Sequence, residues 1–171
     1  LGRAVSKFVP ADDLIVPYTA TSLDDAEAIM HVLKISENDL RKQQVGGFYR
    51  DIELTPGYNN ESDVDKKEHE LEGTKQSGRP DDVFTLIECH VNLDLEGFED
   101  RGPNGELTGI KLPYIVTIEA NSRSVISIRR NYEIGDPQRK KISYFVHFKF
   151  LPGLGFYGFG LTHMIGGLSQ A

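Results

Sequence analysis

This chain is short of the features by which most functions announce themselves. It has one cysteine, Cys89, so no internal disulfide can form, and that usage suits a reducing compartment. No apolar run approaches the roughly 20 residues that a helix needs to span a bilayer. Leu1-Gly2-Arg3-Ala4 carries neither an initiator methionine nor a signal-peptide pattern, so the chain reads as a piece of something longer. Basic charge is scarce: 19 Lys and Arg against 26 Asp and Glu leave a formal net charge of −7. A protein that wraps DNA or reads its bases gathers positive charge, because phosphate contacts supply most of the affinity. Only Arg129-Arg130 and Arg139-Lys140-Lys141 do so here, as two small patches near strand ends. Tight DNA binding is not expected.

Catalytic signatures are missing as well. There is no H-E-x-x-H, no G-x-S-x-G, no P-loop lysine and no cysteine pair. Glu68-His69-Glu70 looks metal-like, but residues one and two apart on a helix do not share a face. It reads as solvated surface.

What remains is one domain, residues 1–171, of mixed α+β character. Residues 1–55 read as a mixed helical part. Ser22 predicts an N-cap, with Asp24 and Asp25 in the positive first turn. Leu23, Ala26, Ile29, Met30 and Leu33 then recur at helical spacing, which predicts an amphipathic helix over 23–34. Ser36 opens a second, short helix through about Gln44, ended by Gly46-Gly47. Residues 56–82 are acidic and poor in large apolar side chains. They are expected to be mobile, with a charged helix over 64–72.

Residues 83–151 form the β part. Ile87, Cys89, Val91, Leu93 and Leu95 alternate with Glu88, His90, Asn92, Asp94 and Glu96. Period two with one polar face predicts an antiparallel strand wet on one side. Gly102-Pro103-Asn104-Gly105 turns the chain into a strand around Leu112–Glu119. Asn121-Ser122-Arg123 connects it tightly to Val125–Tyr132. Gly135-Asp136-Pro137 then leads to a last strand, with Ile142, Tyr144, Val146, Phe148 and Phe150 on its apolar side. Four strands joined by short turns predict an antiparallel meander.

Residues 152–171 form a glycine and aromatic loop opening a helix. Gly153, Gly155 and Gly158 match the spacing of a phosphate-cradling loop. A dinucleotide site, however, needs a parallel βαβ unit and an acidic residue about 20 positions on. Neither is present, and bulky Phe156 and Tyr157 stand where the backbone must approach phosphate. The loop reads instead as main chain bent by glycine so that rings can pack. The strand face of His90 and Asp94, with His147 on another strand, is the other chemical candidate. A flat ladder lacks the pocket that shifts pKa values, so it reads as solvated. Cys89 points inward, as a small core residue. A nucleotide- or metal-dependent enzyme built on Gly153, Gly155 and Gly158 or on His90 and Asp94 stays as the alternative function.

The segment order resembles a known family. Tyr144-Phe145-Val146-His147-Phe148-Lys149-Phe150, running through Pro152-Gly153-Leu154-Gly155-Phe156-Tyr157-Gly158-Phe159-Gly160 to Leu168, is similar to portal proteins of tailed bacteriophages, closest to the short-tailed type. Tyr114–Ile118, Ile128–Tyr132 and Ala20–Ala26 fit the same pattern. The resemblance implies an internal fragment of the wing region of a structural subunit. The whole subunit would form a ring, usually of twelve copies, at one capsid vertex of the virion after assembly in the host cytoplasm. It would dock the terminase large subunit, capsid and tail or adaptor proteins, and let DNA pass without binding it specifically. It implies no enzyme, no cofactor, no metal and no membrane. Pro152, Gly153, Gly155, Phe156, Tyr157 and Phe159 become candidates for packing between subunits.

Overall fold

In this computed structural model, residues 5–55, 83–149, 151–153, 155–160 and 165–166 are described. The predicted helix over 64–72, the Glu68-His69-Glu70 run and most of the C-terminal helix lie outside them. The elements are a 3-10 turn Ala11–Asp13, β1 (Leu14–Ile15), β2 (Ala28–Ser36), α1 (Glu37–Val45), β3 (Val83–Leu93), β4 (Leu112–Glu119) and β5 (Val125–Arg130). The strands form one five-stranded antiparallel sheet in chain order, β1-β2-β3-β4-β5. β1 pairs with β2 through Leu14 opposite His31 and Ile15 opposite Met30. The architecture is mixed α and β, with a single α-helix among the described residues.

The predicted helix over 23–34 is replaced by a turn followed by β2. Its capping signal is present, but it closes on itself. Asp25 accepts from the Thr21 and Ser22 amides and the Thr21 hydroxyl, while Ser22 Oγ accepts from the Asp25 amide at 3.3 Å. Leu23, Ala26 and Ile29 are buried, as their spacing implied. They are buried by a turn and a strand, and β-branched Ile29, Val32 and Ile35 suit the pleated state better. Sheet pairing overrides a weak local preference.

The second helix forms where the sequence put it. Ser36 accepts from the Asp39 amide at 3.2 Å as its N-cap. Gly46 closes the last turn with its amide on Lys42 O at 2.9 Å.

The chain forms two compact units. One comprises Leu1–His31, Cys89–Ile115 and Arg129–Ala171; the other comprises Val32–Glu88 and Val116–Ile128. The second unit has its own core of Leu40, Tyr49, Phe84, Leu86 and Ile126, with Leu33, Ile35, Ile52 and Leu54 packed against it. Full burial of Phe84, Leu86 and Ile126 stabilises by roughly 1.5–3 kcal/mol each. Gln44 of α1 donates to the carbonyls of Arg50 and Ile52, which holds the following segment against the helix. The tight β4–β5 connection is organised by Glu119, whose fully buried carboxylate accepts from the Asn121 and Ser122 amides at 3.0 and 2.6 Å.

In the first unit, Ala20, Leu23, Ala26, Ile29 and Phe156 form the core, with Leu14, Val16 and Phe145 against it. The Gly102–Gly105 turn is as predicted, with the Gly105 amide on Gly102 O at 2.9 Å. Gly135-Asp136-Pro137 also turns the chain, and the Asp136 carboxylate gathers the Gln138 and Lys140 amides.

The predicted last strand does not form. Residues 141–149 take part in no ladder, although the Ile142 amide reaches Asn131 O at 3.0 Å. The segment keeps the period of two, but its facing is reversed. Phe145, His147 and Lys149 are half-buried, while Ile142, Tyr144, Val146 and Phe148 are exposed.

Candidate functional site

Three local constellations carry the side chains singled out by the sequence. The first surrounds His90. The alternation in β3 placed it on a wet face, yet it is buried. The segment after Lys141 lies over it, with the Tyr144 and Phe145 rings edge-on at 5.9 and 5.2 Å. Burial pushes the His90 imidazole down to about 4, and the nearby His31, Lys141 and Arg129 charges push the same way. This is a neutral, packed histidine at pH 7. Asp94 lies beyond the end of β3 and is exposed, so β3 does not display the His90/Asp94 pair as one wet face. Cys89 is buried, and burial raises its thiol. Among the described residues no three His, Cys, Asp or Glu side chains are grouped to hold a metal.

The second constellation is the glycine loop. Leu151 and Phe159 form an isolated antiparallel bridge, the Phe159 amide bonding Leu151 O at 2.9 Å. The loop is thus a tight turn folded across itself. Gly155 has φ of 101°, which favours glycine. A Cβ on Gly158 would stand 2.6 Å from Leu151 O, so the close approach there is to the chain's own backbone. The turn's residues divide. Phe156 is buried in the first unit's core and stacks on His147 with centroids 4.2 Å apart. Tyr157 donates to Leu14 O at 3.1 Å, yet half its surface is exposed. Pro152, Gly155 and Phe159 are also exposed, and Gly153 is half-buried beneath the Phe159 ring. Of the six packing candidates, Phe156 is therefore committed to its own chain.

The third is the row that the alternation assigned to the apolar side of the expected last strand. Side chains bolt the segment 141–149 down from below. Lys141 Nζ donates to Leu23 O and Ala26 O at 3.3 and 3.5 Å, and Lys149 Nζ to Thr21 O and Gly155 O at 3.2 and 3.1 Å. Phe145 packs on the core and meets His31 edge-on. On the outer side Val146 and Phe148 are 95% and 88% exposed, and Tyr144, whose ring also meets His90, is 61% exposed. The signal was legible as strict alternation, but alternation does not say which row faces in. Taking an exposed aromatic as roughly 150–250 Å² of contact area, the row presents roughly 400 Å². That falls within the roughly 300–600 Å² of the largest apolar patch on an ordinary monomer.

No family model, curated protein or solved structure matches this chain.

Proposed function

We propose that the chain is a structural, self-associating segment of a phage portal subunit. The whole subunit would build the ring through which DNA is packaged and ejected, and to which terminase and tail components dock. One observation supports this reading above the others. The row Tyr144, Val146 and Phe148 is apolar, outward, and carried on a segment whose other side is already pinned. Such a surface fits packing against protein. The exposed Tyr157 and Phe159 extend the argument to the glycine turn, which in the portal reading leads into a helix. A formal net charge of −7 also suits a wall past which DNA slides without being held.

The test is electron microscopy of the full-length gene product at micromolar concentration. Closed rings with one central channel are expected. A full-length product that stays monomeric overturns the reading. A thermal-shift screen addresses the enzyme alternative: a clear rise in Tm with ATP, NAD or a divalent ion would favour it, since ligand binding to the native state must stabilise it.

A further inference from the structure

The segment 141–149 is seated in an unusual way. It joins no ladder, and its outward Val146 and Phe148 add almost nothing to its hold. Two lysines anchor its ends, Lys141 on Leu23 O and Ala26 O, and Lys149 on Thr21 O and Gly155 O. Between them four ring contacts press it down, and each sets a histidine against an aromatic ring. His31 meets Phe145, His90 meets both Tyr144 and Phe145, and His147 of the segment itself stacks on Phe156. The grip of the segment is therefore made of neutral imidazoles.

A proton added to His90 finds no counter-charge. The Ala120 amide on Thr85 O and the Asn131 amide on Pro113 O set the registers of β3, β4 and β5. Across the sheet from His90 these registers place Ile115 of β4 and then Arg129 of β5. His31 stands on β2, and the segment contributes Lys141 and the Tyr144 ring. The charges that bear on His90 are those of His31, Lys141 and Arg129, all cationic. His147 likewise has Lys149 as its charged neighbour. A buried charge without a partner is costly, so the covering element that can move is displaced. β3 is the central strand of the sheet and is held on both sides, whereas the segment joins no strand.

We infer that residues 141–149 are a strap that acid releases as one unit, uncovering His90 while the second unit's core stays folded. The inference stands independently of the ring reading.

NMR of the 171-residue chain tests it, following the histidine ring carbons and the Leu and Ile methyls from about pH 7.5 to about pH 4.5. As His90 takes its proton, the Leu23 and Ile29 methyls are expected to lose, in step, the ring-current shifts that Phe145 gives them. The Leu86 and Ile126 methyls of the second unit are expected to keep theirs. Lys149→Met separates release from simple titration. Lys149 anchors the far end of the strap, and its charge is not among those that bear on His90. If the proton enters only once the strap lifts, losing this anchor raises the His90 midpoint by about 0.5–1 pH unit, for roughly threefold to tenfold easier opening. Lys149→Arg keeps a cationic donor there and is expected to restore the parent midpoint.

A Lys149→Met midpoint within about 0.2 unit of the parent overturns the inference. So does protonation of His90 with the Leu23 and Ile29 shifts intact. Loss of the Leu86 and Ile126 shifts at the same pH also overturns it, because the chain would then be unfolding as a whole.

Discussion

Replacing His90 with glutamine is expected to flatten the acid limb of the chain's stability curve. The unfolded imidazole titrates near 6.5, and the folded one is held down to about 4 by burial between β3 and the Tyr144-Phe145 segment. A depressed histidine pKa means that the unfolded state binds the proton more readily. The neutral form's contribution is therefore complete above about pH 6.5 and is lost as pH falls towards 4. For one group with these two values, the loss between pH 7 and pH 5 is about 2 kcal/mol, rising to about 3 kcal/mol by pH 4. His147, also lowered by burial, pushes in the same direction. The comparison with His90→Gln removes that background. Urea unfolding of both proteins at pH 7, 6 and 5, read by tyrosine fluorescence, gives the two slopes. The variant is expected to be less stable at pH 7, through lost ring contacts, yet to fall less on acidification. Parallel curves for the two proteins, within about 0.5 kcal/mol from pH 7 to 5, would show that His90 is not sealed by the segment above it.

Three further outcomes are expected. Phe156→Ala should cost about 3–5 kcal/mol in urea unfolding, because the ring sits in a core and its loss leaves a cavity; a cost below about 1 kcal/mol would detach the glycine turn from that core. Ser36→Ala should cost about 1 kcal/mol through the lost cap on the Asp39 amide, and Ser36→Asp should recover most of it. Glu119→Ala leaves the Asn121 and Ser122 amides without their carboxylate and should lower stability by about 1.5–3 kcal/mol. Hydrogen exchange of those two amides should rise in parallel, and unchanged protection there would refute the assignment.

The local grammar of the chain was legible wherever a side chain answers to its neighbours in sequence. Ser36 caps α1, Gly46 and Gly47 follow its end, and Asp136 folds the Gly135-Pro137 turn, all within a few residues. The same local grammar misled at Ser22 and Asp25. A capping exchange needs only four residues, and it forms whether or not a helix follows. The apolar spacing from Leu23 to Leu33 fits either a helix or a turn with a strand, and β1 settles the matter by pairing with β2. Within the candidate site, Phe156 was singled out for packing between subunits, whereas its ring sits in a core of its own chain.

Composition and charge alone determined that this chain has no internal disulfide, no lipid-spanning helical run and little positive charge to hold DNA. Alternation extended Leu112–Glu119 as a strand, and the strand expected over Val125–Tyr132 ends at Arg130. Which face of an alternating segment is buried is another kind of fact. His90 became a core histidine, and Tyr144, Val146 and Phe148 became surface, because Lys141, Phe145 and Lys149 anchor their segment to a turn more than 110 residues earlier. A period of two is symmetric between its faces, and only contacts distant in sequence break that symmetry.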